Sequence, residues 1–433
     1  MNFSNSNIQK LLPWLICLLF FFDTLTLNAQ NINFSFSGSY RLRGEVMNEY
    51  NIKTYNTGKQ EDFVISRLRA DFGLKYYDNL NLHIQLQDSR AFGFSIPNSE
   101  LQGNNPIRDN YDINQLNLTY SFNPFTVKLG RQQIAFRDSR VFGPGNWGNT
   151  GRYVWDAIVL SYNDKYLESN FITGRSVLHD PERWPNKMSD GPTAYALYNK
   201  IKSLPFDLDF FYVLKKDDRV LTQGESGMGK LSSHTMGFWL NGNYESFEFT
   251  GMTAYQFGEY GKDKIEANAV YLSVSYNFNT ACSPEIQLQY TYGSGDKDPY
   301  DGFNNTFDGI FGGADSKLYG WMNLFFWKNI NEYRVNFSVS PIENITIRSE
   351  YHYLTLSESK DAWYFPGRSV RRDLTGNSGV ELGHEFDFIL GSKISSYLEL
   401  QTGYCFFIPG KFVKSTGNSP AANWYFLETT IYF

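Results

Sequence analysis

The sequence predicts an all-β chain that closes as an 18-stranded antiparallel transmembrane β-barrel of outer-membrane type. Three observations carry that expectation. Segments of about 9 to 15 residues alternate apolar and polar side chains with a period of two, the pattern of a strand with two unlike faces. The connections between them are short and long in turn, as on the two rims of such a barrel. The composition joins 18% aromatic residues, with 30 Tyr and 37 Phe, to a mean hydropathy of -0.41, which excludes a bundle of membrane helices.

Taken in chain order, Lys10 precedes the apolar run Leu11–Phe22, "LLPWLICLLFFF", which is too short to span a bilayer as a helix. "DTLTLNAQ" follows, with Ala29 at a cleavage position, so residues 1–29 read as a secretory signal peptide and 30–433 as the barrel. Strands are expected at 34–45, 63–77, 80–91, 112–122, 125–134, 153–162, 166–176, 193–201, 206–215, 234–244, 246–257, 267–278, 285–293, 331–340, 343–356, 384–394, 397–407 and 423–433. Tight turns fall at 78–79, 123–124, 163–165, 245, 341–343 and 395–396, all rich in turn-forming residues. Long connections fall at 92–111, 135–152, 177–192, 216–233, 294–330, 357–383 and 408–422. With an even strand count, both ends of the barrel lie on the short-turn, periplasmic rim.

The faces follow from the alternation. In "FVISRLRADFGLKYY", Leu68, Phe72, Leu74 and Tyr76 share one side, and Arg67, Arg69, Asp71 and Lys75 the other. "INEYRVNFSVS" sets Tyr333, Val335 and Phe337 against Glu332, Arg334 and Asn336. In a membrane barrel the apolar face meets lipid and the charges line the lumen. The chain ends in "NWYFLETTIYF", a strand of the kind by which outer-membrane barrels are recognised by the barrel-assembly machinery. Closure removes the sheet edge that this strand would otherwise expose.

Eighteen strands leave an aqueous lumen unless loops plug it. Arg41, Arg43, Arg67 and Arg69 crowd the first two strands, while acids prevail from the ninth strand onward, with Arg334 and Arg348 among them. Such a division sets up salt-bridge ladders and also a transverse field with a local anion track. A second basic cluster lies in "LGRQQIAFRDSRVFGPGNWGNTGRYVWDA", residues 129–157. Its arginines Arg131, Arg137, Arg140 and Arg152 stand among Gly143, Gly145, Gly148 and Gly151, with Asp138 and Asp156 placed to pair with them. A Gly-rich loop of this length can fold inward and present guanidinium forks that match carboxylates bidentately. Strict alternation from Leu129 sends Arg131 outward, whereas a bulge at Gly130 would turn it inward; both stay open.

The Gly-Arg-Gln of "LGRQ", followed by Asp-x-Arg, Gly, Trp, Arg and "DA", resembles the alginate export family of outer-membrane porins. So do the Ser-Gly-Asp loop with its downstream Tyr-Gly in residues 290–327 and "ELGHEFDF" at 381–388. The resemblance implies an 18-stranded barrel whose arginine-lined constriction passes an anionic polysaccharide. It carries pore roles over to Arg131, Arg140 and Arg152, with Asp138 and Asp156 as their partners.

The expected function is therefore a non-enzymatic channel for an anionic sugar or polyuronate in the outer membrane of a Gram-negative bacterium, with outer-membrane lipid around it and a periplasmic export partner possible. The alternatives are a general diffusion porin without a polysaccharide role, and a receptor or adhesin barrel that uses its long loops. An outer-membrane lipase would need a Ser-His-acid set, and only "SSH" at 232–234 comes near one. No catalytic residue, resident metal or cofactor is expected. Cys282 and Cys405 make no disulfide framework, "DKDPYDG" at 296–302 lacks the glutamate of an EF-hand loop, and "GESGMGK" at 224–230 has no helix to follow it. The net charge of -6 carries no nucleic-acid signature.

Overall fold

The computed structural model describes residues 31–101, 104–188, 191–312, 318–365 and 368–433; the expected signal peptide lies outside them. The strands are β1 Ile32–Tyr50, β2 Tyr55–Tyr76, β3 Leu80–Phe92, β4 Asp109–Phe122, β5 Phe125–Gln132, β6 Val154–Asn163 and β7 Leu167–Val177. They continue as β8 Thr193–Ile201, β9 Asp207–Gly224, β10 Gly227–Tyr244, β11 Phe247–Gly261, β12 Asp263–Asn277 and β13 Glu285–Gly293. The remainder are β14 Phe303–Asn304, β15 Ile330–Ile342, β16 Ile345–Thr355, β17 Ala362–Phe365, β18 Arg368–Arg372, β19 Glu381–Ser395, β20 Leu398–Pro409 and β21 Ala422–Tyr432. Each barrel strand pairs antiparallel with its neighbours, and β1 pairs with both β2 and β21, so the sheet closes on itself. The short β14, β17 and β18 belong to the loops, which leaves eighteen strands in the wall.

The alternation places the apolar face outside. Leu68, Phe72, Tyr333, Val335 and Phe337 are each more than 40% exposed to the surroundings, while Arg67, Arg69, Glu332 and Arg334 on the opposite face are buried. In water such a surface would aggregate; in acyl chains it is the solvated one.

One expectation needs correction. Residues 216–233 are not a long loop: they form the outer halves of β9 and β10, turned at Glu225 and Ser226. Likewise β1 and β2 run on to a turn at 51–54, and β11 and β12 meet across Lys262. "KKDDRVLTQG" shows no apolar face because these segments rise above the membrane, where nothing selects one. Backbone pairing with the neighbouring strand continues there regardless.

The lumen is not empty. The connections 133–153 and, of 294–329, the described residues 294–312 and 318–329 fold into it and build a core with Trp155 of β6; Phe142, Trp155, Phe307, Phe311, Trp321 and Trp327 are fully or almost fully buried. Phe142 and Phe311 form a parallel bridge with their rings 5.3 Å apart.

Candidate functional site

Alternation along β1 and β2 brings Arg41, Arg43, Arg67 and Arg69 to one patch of the inner wall, with Arg41 directly opposite Arg67. Like charges placed so would repel. The loop segment 146–149 resolves this by laying its carbonyls over them. The Asn146 carbonyl accepts from Arg41 (3.1 Å) and Arg67 (2.9 Å), and the Gly148 carbonyl from the same two side chains (3.1 and 3.2 Å). Arg69 donates to the Asn146 side chain at 3.1 Å, and Arg43 to the Trp147 carbonyl at 3.0 Å. The Arg43 guanidinium also stacks 4.1 Å above the Trp147 ring. Asn149, fully buried, anchors the segment by donating to the carbonyls of Ser66, Arg90 and Ile107. Glu45 and Glu428 pair with Arg43 at 2.8 and 3.2 Å, Glu428 lies 3.6 Å from Arg41 as well, and Asp71, two residues beyond Arg69 on β2, bonds to His83. Among the described residues, Arg67 Nε and Arg69 Nη2 find no hydrogen-bond acceptor.

The residues of the second cluster part company. Register through Gly130 is unbroken despite its positive φ, so Arg131 keeps the parity of Leu129. It lies at the end of the β4–β5 pairing, where it forks onto Asp156 (2.8 and 3.0 Å) and donates to the Asn186 carbonyl at 2.7 Å. Asn186 in turn donates to Asp109 and Asp112 and lies beside the His179–Asp109 pair. This polar seam closes the wall where two strands diverge, and its loop partners had no signal in the sequence. Arg137 reaches across to Asp207 and Asp209 on β9 at 2.7 and 2.5 Å. Arg140 pairs with Asp138 at 2.7 Å inside a cage of Tyr271, Tyr319 and Trp327 rings. Arg152 lies over Tyr153 and Phe326. It lines a cavity of about 530 Å³ together with Arg43, Trp147, Lys215, Trp321 and Trp424.

The second loop meets the opposite wall with opposite chemistry. Met322 and Trp321 donate their backbone N–H groups to Glu385 (2.9 Å) and Asp387 (3.4 Å), and the Trp321 indole donates to Glu350 at 3.2 Å. Gly320 permits this approach: its φ is +100°, and a Cβ there would fall 2.5 Å from the Glu385 carboxylate. Arg334 pairs with Glu350 at 3.2 Å and lies 3.8 Å from Glu332, while Arg348, half exposed, reaches Glu350 at 3.5 Å. In the loop itself burial opposes ionisation of Asp308, but Lys215 and Lys328 hold its carboxyl well below the usual range. So carbonyls of one loop face the arginine wall and N–H groups of the other face the acid wall. Trp147 and Trp321 meet edge to face between them, with ring centroids 5.3 Å apart.

A closed 18-stranded barrel with a lipid-facing skin and two lumen-folded loops defines an outer-membrane protein of the porin class. The chain belongs to the alginate export family, whose model matches residues 32–425. Comparison with curated proteins found no match. Among solved structures, OccAB2 of Acinetobacter baumannii is similar at 13% identity and a TM-score of 0.61, covering 93% of this chain and 98% of that one. OccK2 (OpdF) of Pseudomonas aeruginosa, determined in complex with glucuronate, is similar at 9% identity and a TM-score of 0.60, covering 93% and 98%. At these identities the likeness is one of fold.

Proposed function

We propose that this barrel passes an anionic sugar or polyuronate across the outer membrane, with the guanidinium patch on β1 and β2 as its selecting element. One observation carries the reading: four guanidinium groups share a small area of inner wall with fewer carboxylates, Glu45 and Glu428 at the patch and Asp71 beyond Arg69, and among the described residues Arg67 Nε and Arg69 Nη2 find no acceptor. A uronate carboxylate is an anion that the field of such a patch attracts through the carbonyls that cover it. Glucuronate bound to OccK2 supports a sugar acid as the solute class. The acid wall does not oppose this, since Glu332, Glu350, Glu385 and Asp387 are all buried, the last three bonded to the Trp321–Met322 segment.

In this reading Arg41, Arg43, Arg67 and Arg69 attract the solute and Arg152 meets it at the cavity. Arg137 and Arg140, held by their acids, position the loop; Arg131 and Asp156 seal the wall; Arg334 and Arg348 balance the acid side. Barrel-assembly machinery inserts the protein after removal of its leader, and a periplasmic partner delivers any polymer.

The test is the reversal potential of the purified barrel in planar bilayers under a KCl gradient, with and without polyuronate. Anion preference and polyuronate block are expected, both weakened in the Arg41→Gln/Arg67→Gln double variant. Unchanged selectivity in that variant refutes the assignment. Conductance without selectivity points to general diffusion, and ligand binding without ion flow points to a receptor.

A further inference from the structure

We propose that Glu350, His352 and Asp387 form a divalent-cation site in the wall of the lumen, of the kind that takes Zn²⁺ or another first-row transition ion. The register of β16 and β19 sets Glu350 opposite Asp387 and His352 opposite Glu385, and alternation turns all four inward. Glu350, His352 and Asp387 are almost fully buried, and each offers one ligand atom within 4.8 Å of the others.

The imidazole is the telling group. Its Nδ1 lies 2.8 Å from Glu332 Oε1, a hydrogen bond that fixes the ring orientation and leaves Nε2 as the ligand nitrogen. Nε2 then lies 3.0 Å from Asp387 Oδ2 and 3.5 Å from Glu350 Oε2, yet it makes a hydrogen bond to neither. Ligands about 2.0–2.1 Å from a tetrahedral Zn²⁺ stand roughly 3.3 Å apart; the two nitrogen–oxygen distances bracket that value, and all three ligand atoms lie within 4.8 Å of one another. Asp387 Oδ1 also finds no hydrogen-bond partner among the described residues.

Charge points the same way. Four carboxyl groups, Glu332, Glu350, Glu385 and Asp387, crowd around His352 and three guanidinium groups: Arg334, buried among them, Arg140, buried in its cage near Glu332, and Arg348 at the margin. A divalent ion offsets the excess and ties β16 to β19 under the Trp321–Met322 segment. The site stands whichever solute the channel passes.

The experiment uses the full barrel in detergent, stripped with a chelator and titrated with Co²⁺ as a spectroscopic probe, then with Zn²⁺ in competition. One Co²⁺ is expected at His352, with ligand-field absorption lost on Zn²⁺ addition and absent in His352→Asn and Asp387→Asn. His179→Asn should retain it, which separates this site from the Asp109–Asp112–His179 seam. Glu332→Gln, which keeps the ligands but loses the orienting carboxylate, should weaken affinity by about 10- to 100-fold. Heat-modifiable gel mobility establishes that each variant is folded. The proposal is overturned if the wild-type barrel takes up no Co²⁺, or if uptake survives in folded His352→Asn.

Discussion

At the scale of single residues, the molecule hides its charges under loop backbone, and the consequences are individual. Asp296, 94% buried in the loop 294–329, is the clearest titrating case. Burial, then the neighbouring carboxylates of Glu225 and Asp361, push its carboxyl from 3.8 up to about 8. A raised acid keeps its proton when folded and loses it when unfolded, so its stabilisation is complete below about pH 4 and vanishes as pH rises through about 8. Amide hydrogen exchange across 294–312 should therefore accelerate between about pH 4 and 8 beyond the intrinsic chemical rate, and level off above that. Asp296→Asn should flatten that dependence, and an unchanged profile in the variant would refute the assignment. Which residues face inward was legible wherever alternation ran unbroken, as at Arg67, Arg334 and Glu332. It was ambiguous at Arg131, because period two cannot tell a positive-φ glycine that keeps register from one that bulges. Asn149 and Trp147 could not be read as anchors, since their partners are carbonyls brought near only by closure of the barrel.

At the scale of elements, strands are written locally and loops are not. All eighteen wall strands were legible because lipid on one side and water on the other impose alternation residue by residue. The outer halves of β9 and β10 lost that signal where the lipid ends, although their pairing persists. The two lumen-folded loops obey a different rule, in which each finds a wall whose charge suits the backbone groups it presents. Asn149 tests how firmly the first loop is held. Its amide satisfies three carbonyls on β2, β3 and the 93–108 connection at 2.9 to 3.0 Å. Replacing it with Ala strands buried acceptors at about 1–3 kcal/mol each. Asn149→Ala should leave heat-modifiable mobility intact, since no wall pairing is touched. Single-channel records should gain flicker, and proteolysis within 133–153 should become faster. Quiet records and an equally resistant loop would mean that the arginine contacts alone hold the segment.

At the scale of the whole molecule, the net charge and the local field disagree in sign. The chain carries -6 overall, so a channel governed by total charge would favour cations. The path is instead governed by what lies within a screening length of it, about 10 Å at 0.1 M salt and about 3 Å at 1 M. The β1–β2 wall presents four clustered guanidinium groups against Glu45, Glu428 and the more distant Asp71, while the strongest acid cluster is buried behind Trp321 and Met322. Selectivity should therefore depend on ionic strength in a defined way. With a tenfold KCl gradient held constant, the reversal potential should favour chloride at a mean concentration near 0.1 M. It should shrink towards zero near 1 M, as screening isolates the wall from ions in mid-lumen. A cation preference at low salt would show that exposed acids such as Asp207 outweigh the arginine wall, and an anion preference indifferent to salt would place the selecting contacts inside a dehydrated constriction. The two-loop arrangement makes the intermediate result the expected one, because the guanidinium groups are covered by neutral carbonyls and act on passing ions from a distance.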